Sequence, residues 1–138
     1  MPQVILTNAD IEYLNQKQPD LSYNQGMNTI SGVLSFDLQF TNDGINIVDN
    51  YQIEIDLNNV YEGLPKVRET GNKIQDAARE MGIAPIDLHI NSLNDELCLI
   101  IPPKIKEKYP TGFNLIKLIE HIEEHLYWVS YYIKYGKA

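Results

Sequence analysis

Leu34-Ser35-Phe36-Asp37-Leu38-Gln39-Phe40-Thr41-Asn42-Asp43-Gly44 is the stretch on which the fold turns. Its apolar side chains at 34, 36, 38 and 40 alternate with Ser35, Asp37, Gln39 and Thr41. A period of two marks a strand with one face buried and one in water. The strand begins back at Thr29. Asn42-Asp43-Gly44 is a strong hairpin signal, because these residues tolerate the positive φ that tight turns require. The return strand carries Ile45 and Ile47, then Tyr51, Ile53, Ile55 and Leu57, alternating with Gln52, Glu54 and Asp56. Its pattern weakens at Asp49-Asn50, which predicts a bulge or bend. After a turn over 58–63, residues 64–70 read as a third strand at an edge. Pro65 stands near its start, where a missing N–H does least harm.

Helices flank this meander. Thr7 or Asn8 is placed to cap a short helix through Ile11 and Leu14 that ends before Pro19, with Asp10 in its first turn. Residues 16–26 are polar and read as loop. Ile74, Ala77, Ala78 and Met81 fall at helical spacing over 72–81, and Gly82 is placed to end that helix. Residues 83–91 read as extended, 97–101 as a short buried run stopped by Pro102-Pro103, and 104–111 as loop. The longest helix spans about 113–133, with Leu115, Leu118, Ile119, Ile122, Leu126, Val129 and Ile133 in one stripe. Grouped strands with helices outside them define an α+β fold: an antiparallel β-meander with an N-terminal helix and a long C-terminal helix packed on the sheet. At 138 residues the whole chain, 1–138, reads as a single domain.

Nineteen acidic against eleven basic residues give a net charge of −8. This excludes nucleic-acid or anionic-membrane binding through a broadly basic surface. One cysteine excludes an internal disulfide and any multi-cysteine metal site, and a reducing compartment follows. The N-terminus lacks the features of a secretory signal, and no apolar run approaches the roughly 20 residues that span a bilayer. The expectation is a cytoplasmic protein with no membrane partner, no nucleic-acid partner, no cofactor and no metal.

The chemistry concentrates in Ile86-Asp-Leu-His-Ile-Asn-Ser-Leu-Asn-Asp-Glu-Leu-Cys-Leu-Ile-Ile-Pro-Pro103. Cys98 follows the acidic turn Asn94-Asp95-Glu96, and His89 and Asn91 precede it closely. A thiol beside a tight turn with an amide donor nearby is a candidate nucleophile; the alternative is a small buried hydrophobe. His121-Ile-Glu-Glu-His125 spells an inverted zincin motif. That chemistry needs a carboxylate ligand well downstream, and 13 residues follow His125. The preferred reading of both histidines is the solvated flank of an amphipathic helix. Tyr127, Trp128, Tyr131, Tyr132 and Tyr135 read as packing residues, with a docking surface as the alternative.

Four pieces of this pattern resemble the ubiquitin-conjugating enzyme (UBC-like) fold, and its divergent bacterial members in particular. Tyr61-Glu-Gly-Leu-Pro-Lys-Val67 is similar to the family's Tyr-Pro-x-x-Pro-Pro-x-Val. His89-Ile90-Asn91 is similar to its His-Pro-Asn, and Asp95-Glu96-Leu97-Cys98-Leu99 to its Gly-x-x-Cys-Leu. The long C-terminal helix resembles the one that follows the family's cysteine. The likeness covers roughly residues 5–135. It departs at Ile90, where the family has proline, and at Asp95, where it has glycine. The Asn-to-Cys spacing is one residue shorter than the eukaryotic pattern. The segment 72–85 is longer, and the chain ends before the eukaryotic C-terminal helices.

The resemblance implies that Cys98 forms a thioester and passes the acyl group to an amine, with Asn91 as an oxyanion donor and His89 beside the site. It implies an activating enzyme or acyl-donor protein as partner. The acyl group would be the C-terminus of a ubiquitin-like protein, or of a nucleotidyltransferase that makes cyclic oligonucleotides in antiphage defence. Two competing expectations stand beside it: a catalytically inactive adaptor that keeps the fold, and a metalloprotease built on His121 and His125.

Overall fold

The structure, a computed structural model, describes residues 3–40, 44–100 and 102–136. Helix α1 (Asn8–Lys17) leads into strands β1 (Leu21–Asn24), β2 (Thr29–Leu38), β3 (Ile47–Tyr61) and β4 (Leu64–Glu69). Helices α2 (Lys73–Met81), α3 (Ile105–Lys108) and α4 (Leu115–Tyr135) follow. The strands form one antiparallel sheet in the order β1-β2-β3-β4. The architecture is therefore α+β, an antiparallel meander with an N-terminal helix and a long C-terminal one. No described helix is long and apolar enough to cross a membrane.

The alternation seen in the sequence builds the buried face. Leu34 and Phe36 on β2 and Tyr51, Ile53, Ile55 and Leu57 on β3 are buried, and α4 covers them with Leu115, Leu118, Ile119, Ile122 and Leu126. Thr7 caps α1 through a reciprocal pair: its hydroxyl accepts the Asp10 N–H at 3.1 Å, and the Asp10 carboxylate accepts the Thr7 N–H at 3.0 Å. Such a box satisfies two of the helix's orphan donors at once.

Polar stitches join the layers. Gln18 donates to the Glu123 carboxylate at 2.7 Å and to the Ser35 carbonyl at 2.9 Å, and accepts the Ser35 N–H at 3.0 Å. One side chain thus ties the end of α1 to β2 and α4. The Ser130 hydroxyl meets Tyr51 Oη at 2.6 Å and donates to Asp49 at 2.8 Å, and Asp49 pairs with Lys73 of α2.

Several expectations are corrected. Part of 16–26 is not loop: Leu21–Asn24 is a short strand paired with Thr29–Gly32. Its four residues are too few to show a period, and its turn carries only one glycine. The β2–β3 register runs unbroken through Phe36↔Asp49 and Ser35↔Asn50. The irregularity lies instead on the other side of β3, between Asp56 and Val60. Residues 83–91 are not extended throughout, since Pro85–Leu88 forms a 3₁₀ turn with Pro85 at its first position. Within 104–111, Ile105–Lys108 is helical. Of the expected hairpin turn, Asn42 and Asp43 lie outside the described residues.

Candidate active site

The site is a small antiparallel pair built onto the free edge of β4. Leu97 donates its N–H to the Val67 carbonyl at 2.8 Å and Glu69 donates to the Asp95 carbonyl at 3.0 Å. Residues 95–97 therefore extend the sheet beyond β4. The segment 89–91 pairs with them in turn. Asn91 donates to the Glu96 carbonyl and Cys98 donates to the His89 carbonyl, both at 2.8 Å, with Ile90 opposite Leu97. The turn between the two legs uses Asp95 at φ 60°, a region that aspartate tolerates better than most residues.

This pairing explains the sequence spacing. Ile90 and Leu97 face inward and are buried. Their neighbours His89 and Cys98 are directly opposite one another and face outward. Cys98 is exposed, so the reading of it as a small buried hydrophobe fails. The expected buried run narrows to Leu97, since Leu99 and Ile100 are half-buried and residue 101 lies outside the described residues. Burial, and then the Glu96 carboxylate, push the Cys98 thiol above its ordinary pKa. The thiol is thus not pre-ionised.

Asn91 performs one structural task. Its side-chain oxygen accepts the Leu93 N–H at 2.8 Å, and its carbonyl accepts the Asp95 N–H at 2.9 Å. It fixes the turn that carries Cys98 while lining the same groove. Gln75 of α2 clamps the turn from behind, donating to Asp95 at 2.6 Å and to the Ser92 carbonyl at 3.2 Å. Neither Gln75 nor its role was legible as a site feature: an isolated glutamine on a helix carries no motif.

Cys98 stands between two hollows. One is a groove of about 680 Å³ that runs past Tyr61, Leu64, Lys66, Asn91 and Ile105. Gly63, at φ 92°, lets the β3–β4 turn approach Gly112; a Cβ there would lie 2.6 Å from the Gly112 carbonyl carbon. That close approach brings the chain after α3 up to the strand turn. The second hollow, about 340 Å³, lies towards α4 and is lined by His89, Leu99, His121, Glu124, His125 and Trp128.

The two α4 histidines are not a solvated flank, which corrects the helix-wheel reading. His121 is held on both ring nitrogens: Nδ1 meets Tyr109 Oη at 3.0 Å and Nε2 meets the Leu99 carbonyl at 3.2 Å. A carbonyl only accepts, so Nε2 carries the proton and the tyrosine donates to Nδ1. His125 packs edge-on against His89, with ring centroids 5.9 Å apart, and its Nε2 is buried without a partner. Both rings have lowered pKa values, His125 to about 4, chiefly through burial. These engagements leave His121 no free ring nitrogen for a metal. Among the described residues no group of three or more His, Cys, Asp or Glu side chains is arranged to hold one. The metalloprotease reading therefore has no geometric support. The helix period placed both histidines correctly beside the stripe, but it could not show that the Cys98 segment covers that flank.

Of the aromatic residues that follow, Tyr131 and Tyr132 are half-buried against the core, while Trp128 and Tyr135 are exposed. Tyr127 is buried, donates to the Ile45 carbonyl at 2.6 Å and stacks edge-on with Phe40 at 4.8 Å. Compared with protein-family models, curated proteins and solved structures, the chain has no match. What fold and site define is an α+β domain that presents one exposed thiol on a hydrogen-bonded sheet extension, between a groove and a histidine-lined cleft.

Proposed function

We propose that this protein is a bacterial acyl-transfer enzyme of the ubiquitin-conjugating type, with Cys98 as its thioester-forming nucleophile. The observation that carries this reading is the pairing of the His89–Asn91 segment with the Cys98 segment. Main-chain bonds hold an exposed thiol in the lining of a groove of about 680 Å³. In the proposed reaction the thiol attacks an activated acyl carbon, the donor's leaving group departs, and an S–C bond forms. An amine then takes the acyl group.

Ile90, standing where the family has proline, fits this frame. It fills the core beneath the site and donates its N–H to the Pro85 carbonyl at 3.4 Å, a bond that proline would forfeit. The raised thiol suits a carrier that must not react indiscriminately. Asn91 serves the reaction by holding the turn, with its remaining amide N–H groups available to the oxyanion. The partners proposed are an activating enzyme or acyl-donor protein in the cytoplasm. The acyl group is the C-terminus of a ubiquitin-like protein or of a defence nucleotidyltransferase.

The test is to mix the protein with its donor system and look for an adduct that thiol reductants remove. Formation of the same adduct by Cys98→Ser would exclude Cys98 as acceptor. Burial and Glu96 both oppose thiolate formation, which the second reading, an adaptor without catalysis, accommodates equally well. That reading predicts that cellular function survives Cys98→Ala, and loss of function on that change would sink it.

A further inference from the structure

The sheet extension sets two chemically active side chains across from each other. Arg68 of β4 bridges Glu96 in an antiparallel pair, and Leu97 donates to the Val67 carbonyl at 2.8 Å. That register brings Lys66 opposite Cys98. Their neighbours Val67 and Leu97 are buried, so the alternation along a strand turns Lys66 and Cys98 to the same outward side. Both line the groove of about 680 Å³. Side chains directly opposite across an antiparallel pair have Cβ atoms about 5 Å apart, a gap that a lysine side chain spans.

Lys66 is exposed and its amine is uncommitted. Its partner on β3, Asp56, accepts the Asn58 N–H and the Asn58 side-chain amide instead, both at 2.9 Å. The next outward residue of β4, Arg68, is paired with Glu54 at 3.1 Å. No ion pair among the described residues takes Lys66. Lys104 and Lys106, the first lysines after Cys98, are held by Glu107 and Glu62. Of the described lysines, only Lys66 lines either hollow beside Cys98.

We propose that Lys66 is a self-acylation site, to which the acyl group carried on Cys98 passes within the same chain. The inference rests on the thioester reading of Cys98. In the transfer the uncharged Lys66 Nζ attacks the thioester carbon, and a C–N bond forms. The C–S bond breaks and its electron pair leaves on Sγ. The nitrogen gives up one proton and Sγ takes up one. The products are an amide on Lys66 and the free Cys98 thiol. Holding amine and thioester in one cross-strand row replaces a bimolecular encounter with an intramolecular one, which is where the rate comes from. The product differs from its precursor in one decisive respect: thiol reductants remove a thioester and leave an amide intact.

The test loads the protein with the 2-mercaptoethanesulfonate thioester of acetyl-diglycine, removes excess donor by desalting, and follows intact mass with and without dithiothreitol. With one cysteine in the chain, a reductant-labile acetyl-diglycyl adduct reports on Cys98. In the parent that adduct should convert to a reductant-resistant one of the same mass, which peptide mapping places on Lys66. The first-order rate should hold on roughly tenfold dilution, because the acceptor is intramolecular. Per loaded molecule, Lys66→Arg should form the resistant adduct roughly 100-fold more slowly, and Cys98→Ser should not form it. A resistant adduct that maps to another lysine, a rate that falls on dilution, or the same adduct on Cys98→Ser overturns the proposal. So does a labile adduct on the parent that only hydrolyses, which leaves Cys98 as acceptor. The map on the parent decides even where a variant does not fold. Absence of any labile adduct on the parent overturns the thioester reading itself, and the transfer with it.

Discussion

The carboxylate of Glu69 accepts the backbone N–H of Ile74 at 2.9 Å, and its second oxygen accepts that of Lys73 at the same distance. The last residue of β4 thus caps α2, where Asn72 makes no side-chain cap bond of its own. Glu69 is fully buried, and its own N–H holds the Asp95 carbonyl. Sheet edge, helix start and the Cys98 turn meet at this one residue. A negative charge at a helix N-terminus is favourable, which helps offset the cost of burying it.

Glu69→Ala should therefore destabilise the fold by about 3 kcal/mol, the loss of two bonds to a charged acceptor. Urea unfolding measures this. Amide exchange in 95–98 should rise with it, because α2 carries the Gln75 clamp. A loss below roughly 1 kcal/mol would show that water replaces the cap.

Cys98 should alkylate slowly near neutral pH, with the inflection of the rate above that of an ordinary cysteine. The cause is burial, reinforced by Glu96. Glu96→Gln should speed iodoacetamide labelling several-fold at fixed pH and move the inflection down. An unchanged profile would mean that burial alone sets the thiol.

The sheet and the long helix were legible because their patterns are local. Leu34 to Phe40 alternates strictly, and the apolar stripe of α4 repeats over five turns. Cys98, His89 and Asn91 could be singled out from their residue types and spacing. Their juxtaposition with His121 and His125 could not, since it depends on how the 89–98 pair docks between β4 and α4. Periodicity reports which face of a helix is buried, not what covers its flank. The β1 strand was lost for the opposite reason: four residues carry too little pattern to separate a strand from a loop.

His121 latches the Cys98 segment to α4 through the Leu99 carbonyl, with Tyr109 fixing its tautomer. Tyr109→Phe removes the donor to Nδ1 and should cost about 1 kcal/mol. His121→Ala removes both bonds and should cost more, with faster amide exchange concentrated around 98–100. Equal exchange in the two variants would show that the ring does not hold the segment.

The buried imidazoles also set an acid limit on stability. The pKa of His125 is about 4 in the folded chain, below its ordinary value of 6.5. The unfolded chain therefore binds the proton more tightly between these values. Stability is fully present above about pH 6.5 and is lost as pH falls towards 4. His121 is lowered too and adds in the same direction. Glu69 and Glu123 act oppositely: burial raises both, so their contribution is lost as pH rises through their folded values. A stability profile of the parent alone mixes these signs. Comparison with His125→Gln separates them, because the carboxylates are common to both proteins. The stability of the parent relative to this variant should fall by about 3 kcal/mol between pH 7 and pH 4, at 1.36 kcal/mol per pKa unit. Parallel urea-denaturation profiles for the two proteins would mean that His125 is not held neutral by its burial.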